Sequence, residues 1–92
     1  MPNIVLNNDK SKGHGSWAAV PVIASSSVTI NGVTIALDGD SYQSHTNSSG
    51  VTHYPKAIAS SSVTVNGKKI LLDGDPLSCG DTATASSAVS IN

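Results

Sequence analysis

One unit recurs along this chain and limits what it can fold into. Ser60-Ser61-Ser62-Val63-Thr64-Val65-Asn66-Gly67 copies Ser25-Ser26-Ser27-Val28-Thr29-Ile30-Asn31-Gly32. The copy continues past the turn, where Ile70-Leu71-Leu72-Asp73-Gly74-Asp75 matches Ile35-Ala36-Leu37-Asp38-Gly39-Asp40. The two ends of the chain carry complementary halves. Ile4-Val5-Leu6-Asn7-Asn8-Asp9 reads as the second half, and Ser87-Ala88-Val89-Ser90-Ile91-Asn92 as the first. Two whole units and two halves make three.

Each unit predicts a β-hairpin. Asn31-Gly32 and Asn66-Gly67 separate alternating apolar runs, and both turn residues tolerate positive φ. Period-two alternation sends Val28, Ile30, Val33, Ile35 and Leu37 to one face, and Thr29, Thr34 and Ala36 to the other. The second hairpin sends Val63, Val65, Ile70 and Leu72 inward and leaves the Lys68 ammonium in water at the tip. Pairing the first strand with the last closes the third hairpin and removes two free sheet edges. Asp38-Gly39-Asp40 and Asp73-Gly74-Asp75 directly follow strands. No glutamate stands at calcium-loop spacing, so they read as Gly-permitted bends with solvated or turn-bonding aspartates. Ser25 to Ser27 and Ser60 to Ser62 read as surface and turn residues. No segment has a 3.6-residue apolar period, so the chain is expected to be all-β with very little helix.

Ninety-two residues suit a single domain spanning 1–92, near the lower limit for a self-sufficient core. With no Phe, one Trp, two Tyr and one Met, that core is thin. A metal, disulfides or a partner must supplement it, and a lone Cys79 excludes an internal disulfide framework. Net charge is −1, with five basic and six acidic residues and no basic cluster. Nucleic acid and an electrostatic membrane patch are therefore disfavoured as partners. Met1-Pro2-Asn3-Ile4-Val5-Leu6-Asn7 lacks a basic region followed by a long apolar run. This predicts synthesis in the cytoplasm without a signal peptide, and any exit from the cell by another route.

The chain has three histidines and one cysteine in total. His14 lies five residues after Asp9, His45 five after Asp40, and Cys79 four after Asp75. Pseudo-threefold hairpins would bring these three towards a common axis. His53, in the longest connection between hairpins, can reach over and complete four. Three imidazoles and a thiolate suit tetrahedral zinc, with nitrogens at roughly 2.0–2.1 Å and sulfur at about 2.3 Å. The thiolate favours zinc over iron. Four protein ligands leave no position for an activated water, which makes the predicted zinc structural and the chain non-catalytic.

Other chemistry is weakly represented. Composition leaves a Ser-His-Asp triad open, but no GxSxG elbow is present, and Gly13-His14-Gly15-Ser16 is not one. Gly32 and Gly67 are turn residues, so no phosphate-cradling loop exists. Trp17 and Tyr42 are expected to pack against the core. The competing functional reading is a small zinc-dependent hydrolase with an open coordination position and Asp9, Asp40 or Asp75 as base. A secreted adhesive or carbohydrate-binding β-module is a third, opposed by the sparse aromatics.

The repeated SSSVT[IV]NG-xxxxL-DGD pattern, the Gly74-Asp75-Pro76-Leu77-Ser78-Cys79-Gly80 segment and the three-His, one-Cys inventory resemble PAAR-repeat proteins. These cap the central spikes of type VI secretion systems and contractile phage tails. The Pro-Ala-Ala-Arg tetrapeptide that names the family is absent after Asn-Gly. Val33-Thr34-Ile35-Ala36 and Lys68-Lys69-Ile70-Leu71 stand in its place and preserve strand alternation. The resemblance implies a small cone of three hairpins with zinc near its apex and no toxin extension within these residues. It also implies a broad base seated on a trimeric β-helical spike, one monomeric cap per trimer, with transient contact to a target membrane. The cap would be assembled at the tip of a phage tail or secretion spike, and its work would be mechanical.

Overall fold

A computed structural model describes residues 2–15 and 17–91. Among these there is no helix, and hence none long and apolar enough to cross a membrane. Both Asn-Gly hairpins form where expected. Strand β1 (Thr29–Ile30) pairs antiparallel with β2 (Val33–Thr34), with Ile30 opposite Val33. Strands β3 (His45–Thr46) and β4 (Thr52–His53) make a hairpin inside the long connection. Strand β5 (Thr64–Val65) pairs with β6 (Lys68–Lys69). Asn31 and Gly32 take φ of 52° and 82°, and Asn66 and Gly67 take the same values, as two-residue hairpin turns require. The chain ends also meet: Asn3 bridges Ser90, and the Ile4 amide donates to the Val89 carbonyl at 2.7 Å.

The three post-turn segments close around one axis. Ile4 bridges Leu72, Leu6 bridges Ile35, and Leu37 bridges Ile70. The Val5 amide donates to the Leu71 carbonyl (3.0 Å), Leu71 to Ala36 (3.0 Å) and Ala36 back to Val5 (2.9 Å). This three-membered hydrogen-bond ring leaves no unpaired edge at the axis. Alternation then builds two apolar layers. Ile4, Leu6, Ile35, Leu37, Ile70 and Leu72 form one, against which Ile30, Val65 and Ile91 pack. Val5, Ala36 and Leu71 contribute to the other, with Val20, Val22, Tyr42, Ala57, Leu77 and their neighbours. Cys79 packs on this second layer. The two Asn-Gly hairpins therefore pack on the side of the first layer and Cys79 on that of the second, in a body measuring 38 × 23 × 22 Å.

The expected facing of some side chains is corrected here. Ala36 lies on the face opposite Ile35 and Leu37 as expected, but that face is also covered: it is fully buried, as is Leu71. Val28, Val33 and Val63 are not turned inward but are 41 %, 38 % and 41 % exposed. Both faces of Ile35–Leu37 and Ile70–Leu72 are covered because each segment lies between two layers. The valines stand at the hairpin end, where the described chain supplies no third layer.

The aspartates are turn-bonding. Asp9, Asp40 and Asp75 each accept the amide three residues earlier, from Leu6 (2.9 Å), Leu37 (2.8 Å) and Leu72 (2.9 Å). Each also accepts the hydroxyl of the leading serine of a unit, namely Ser86, Ser25 and Ser60. Asn7, Asp38 and Asp73 accept the amides of Ala24, Ala59 and Ala85. The repeat thus stitches each turn to the next unit. Ser61 departs from the surface reading: it is buried, and its hydroxyl accepts the Val63 amide at 3.0 Å.

Replacing Leu71, which touches the axis, should cost about 2–5 kcal/mol as Leu71→Ala in urea titration. Val28→Ala, at the open end, should cost less than about 1 kcal/mol. Equal losses would contradict the layered arrangement.

Candidate metal centre

Two turns and one hairpin deliver the four soft side chains. His14 and Trp17 flank a tight turn, exchanging His14 N–H to Trp17 O (3.1 Å) and Trp17 N–H to His14 O (2.8 Å). Gly13 enters it at φ 83°, and a Cβ there would lie 3.0 Å from the Trp17 carbonyl oxygen. Glycine is needed at that close approach. His45 and His53 stand directly opposite one another across β3 and β4. Cross-strand neighbours on one face are about 5 Å apart at Cβ, so pairing alone brings both imidazoles together. The hairpin is closed by Asn47, whose Oδ1 accepts the Ser49 and Val51 amides at 3.0 Å each, and by Gly50 at φ 82°. Cys79 rides the turn from Leu77, where the Gly80 amide donates to the Leu77 carbonyl at 3.1 Å.

All four predicted residues meet. One ligand atom from each of His14, His45, His53 and Cys79 lies within 4.8 Å of the others. Cys79 Sγ is 3.6 Å from His45 Nε2 and 3.8 Å from His14 Nε2. A tetrahedral ion with zinc-like bond lengths requires N···S edges of about 3.5 Å. The imidazole centroids form a nearly equilateral triangle with sides of 5.4, 5.6 and 5.5 Å. This cluster is able to hold a metal ion.

The surroundings fit a cation as well as the distances do. His45 is buried, and its Nδ1 lies 2.8 Å from the Ala18 carbonyl oxygen. That carbonyl accepts only from an N–H, which fixes the tautomer and leaves Nε2 with its lone pair towards Cys79. His53 Nδ1 is enclosed and has no hydrogen-bond partner. The protein leaves a soft nitrogen unsatisfied where a cation would satisfy it.

Trp17 corrects an expectation. It belongs to neither apolar layer. Its ring stacks on His53 at 3.5 Å between centroids and 12° between planes, and on His14 at 5.6 Å. Tyr42 does pack in the core as expected. Its phenol is held well above the ordinary range, first by burial and then by Asp9, Asp81, Asp40 and Asp75. Asp81, to which the sequence reading gave no role, is 2 % exposed and accepts the Gly13 amide at 2.8 Å. Its only sequence signal was its place beside Cys79-Gly80.

A pseudo-threefold β-body with a three-histidine, one-cysteine cluster towards one end defines a small metal-site scaffold. The chain matches the PAAR motif family over residues 12–85, and it belongs to that family. Members are structural tip caps of type VI secretion spikes and contractile phage tails. Comparison with curated proteins finds no match.

Burial, then His45 and His14, hold the His53 imidazole below its ordinary range. Because the folded value lies under the unfolded one, about 6.5, protonation favours the unfolded chain once pH drops past that point. In chelator-treated protein, Tm should decline as pH is lowered from about 7 to about 5. His53→Ala should reduce that slope. An unchanged slope in the variant would contradict the assignment.

Proposed function

We propose that residues 1–92 act as one domain that caps and sharpens a trimeric β-helical spike of a contractile injection machine. One monomeric cap seats on each trimer and is carried to the cell exterior with it. The observation that carries this reading is the opposition of the two ends. At the hairpin end, Val28, Val63 and Val89 occupy equivalent positions in the three units and are 41 %, 41 % and 42 % exposed. Their carbonyls accept the Ile35, Ile70 and Ile4 amides in the same way. An apolar surface repeated three times suits the blunt end of a true trimer, whose backbone edges also need covering. At the other end, His14, His45, His53 and Cys79 would hold a structural zinc ion.

Zinc bound there couples to folding, with apparent energies of order 10 kcal/mol or more. That would supplement the thin core and stiffen the end that meets a target membrane. The work is mechanical: a rigid apex concentrates the thrust of a contracting sheath, and no reaction is catalysed. A hydrolase reading is less well supported. Four converging ligands occupy a tetrahedral ion, and Asp9, Asp40 and Asp75, the candidate bases, accept turn amides and serine hydroxyls instead.

Two measurements test the two halves. His14→Ala, His45→Ala and Cys79→Ala should each abolish stoichiometric zinc in purified protein and lower Tm. Metal content and melting equal to the parent's would sink the zinc. Separately, the cognate trimeric spike should capture the cap at one per trimer, and Val63→Asp should weaken capture while leaving zinc in place. Capture unaffected by that charge would move the docking face elsewhere.

A further inference from the structure

The two ligands His14 and Cys79 come from opposite ends of the chain. Between them lies the only acidic side chain that the repeat does not use. Asp9, Asp38, Asp40, Asp73 and Asp75 all serve the turn pattern, whereas Asp81 has no counterpart in the other units. It is 2 % exposed. Its Oδ1 accepts the Gly13 amide at 2.8 Å and the Thr82 amide at 2.7 Å. Gly13 directly precedes His14, and Asp81 follows Cys79 by two residues. The Leu77 amide donates to the Asp81 carbonyl at 2.9 Å, which closes the Cys79 turn from the backbone side. One residue therefore ties the His14 loop to the Cys79 loop.

Its other oxygen is unusual. Asp81 Oδ2 is enclosed and has no hydrogen-bond partner. A carboxylate buried with half its acceptors unused is costly unless a positive charge lies nearby. No lysine bonds to it among the described residues. A divalent ion held by three neutral imidazoles and one thiolate would leave a single positive charge on the cluster, equal and opposite to that of Asp81.

We propose that Asp81 is the positioning residue of the metal centre, splinting the His14 and Cys79 loops through Oδ1 and balancing the charge of the bound ion. This rests on the metal reading above. Loss of the residue should act through the ligands: a slack His14 loop and an uncompensated cation both weaken binding. Outer partners of metal ligands typically change affinity by about 10- to 100-fold.

The test compares the parent protein with Asp81→Asn, Asp81→Ala and Asp40→Asn. Asp40→Asn serves as the control, a buried turn carboxylate bonded to Ser25 and Leu37 and to neither of these loops. Zinc affinity is measured by chelator competition, the ligand set by the thiolate-to-cobalt absorption on Co²⁺ loading, and fold stability by urea titration in chelator. Asp81→Asn keeps an acceptor for Gly13 and removes the charge. It should retain the thiolate band and bind zinc about 10- to 100-fold more weakly. Asp81→Ala should bind more weakly still, with the thiolate band diminished. If Asp81→Ala does not fold, Asp81→Asn decides. Zinc affinity of Asp81→Asn within about twofold of the parent's, or reduced no more than that of Asp40→Asn, would overturn the proposal. A parent protein that takes up neither ion would overturn the metal reading and this assignment with it.

Discussion

Three backbone hydrogen bonds, passed from Val5 to Leu71, from Leu71 to Ala36 and from Ala36 back to Val5, hold this molecule on its axis. Each paired strand is two residues long, far too short to be stable alone. The ring joins the three post-turn segments, which the paired strands lead into, as one closed object in which each segment has two neighbours. It also fixes the alternation that separates the layers, since central residues face one and flanking residues the other. A one-residue slip in any segment would exchange the two sets and expose both.

Polar chemistry sets the spacing of the units as firmly as burial does. Each turn carboxylate accepts an amide of its own turn and the hydroxyl of the serine that opens its own unit, while Asp38 and Asp73 accept the amides of Ala59 and Ala85 just ahead of the next. Such bonds are charge-assisted and stronger than neutral ones. They explain why a chain with so little apolar material retains an ordered serine at the start of each unit. They also engage those aspartates, so the cluster able to hold a metal ion is built by the loops that follow them.

Much of this was legible in the sequence because the repeat carried it. Asn-Gly between apolar runs specifies a hairpin locally, and equivalence of the units placed three ligands on a common path. The meeting of the chain ends followed from complementary halves. The outward facing of Val28 and Val63 was not legible, because strand alternation says which residues share a face and not which faces are covered. The burial of Ala36 was not legible for the same reason. His53 was placed by its loop; its actual partner, opposite His45, depends on Asn47-Ser48-Ser49-Gly50 forming a turn, a signal present but unread. Trp17 and Asp81 were not legible as site residues, since each reaches the cluster through a contact that repeat symmetry does not encode.

These parts meet at the ligand cluster, where the proposed ion would draw the loops of the axially closed β-body together. X-ray absorption at the metal edge of the purified protein tests this most directly. It should find one zinc per chain with three nitrogens at about 2.0–2.1 Å and one sulfur at about 2.3 Å. An ion with oxygen in its first shell and no sulfur, or no bound ion at all, would contradict it.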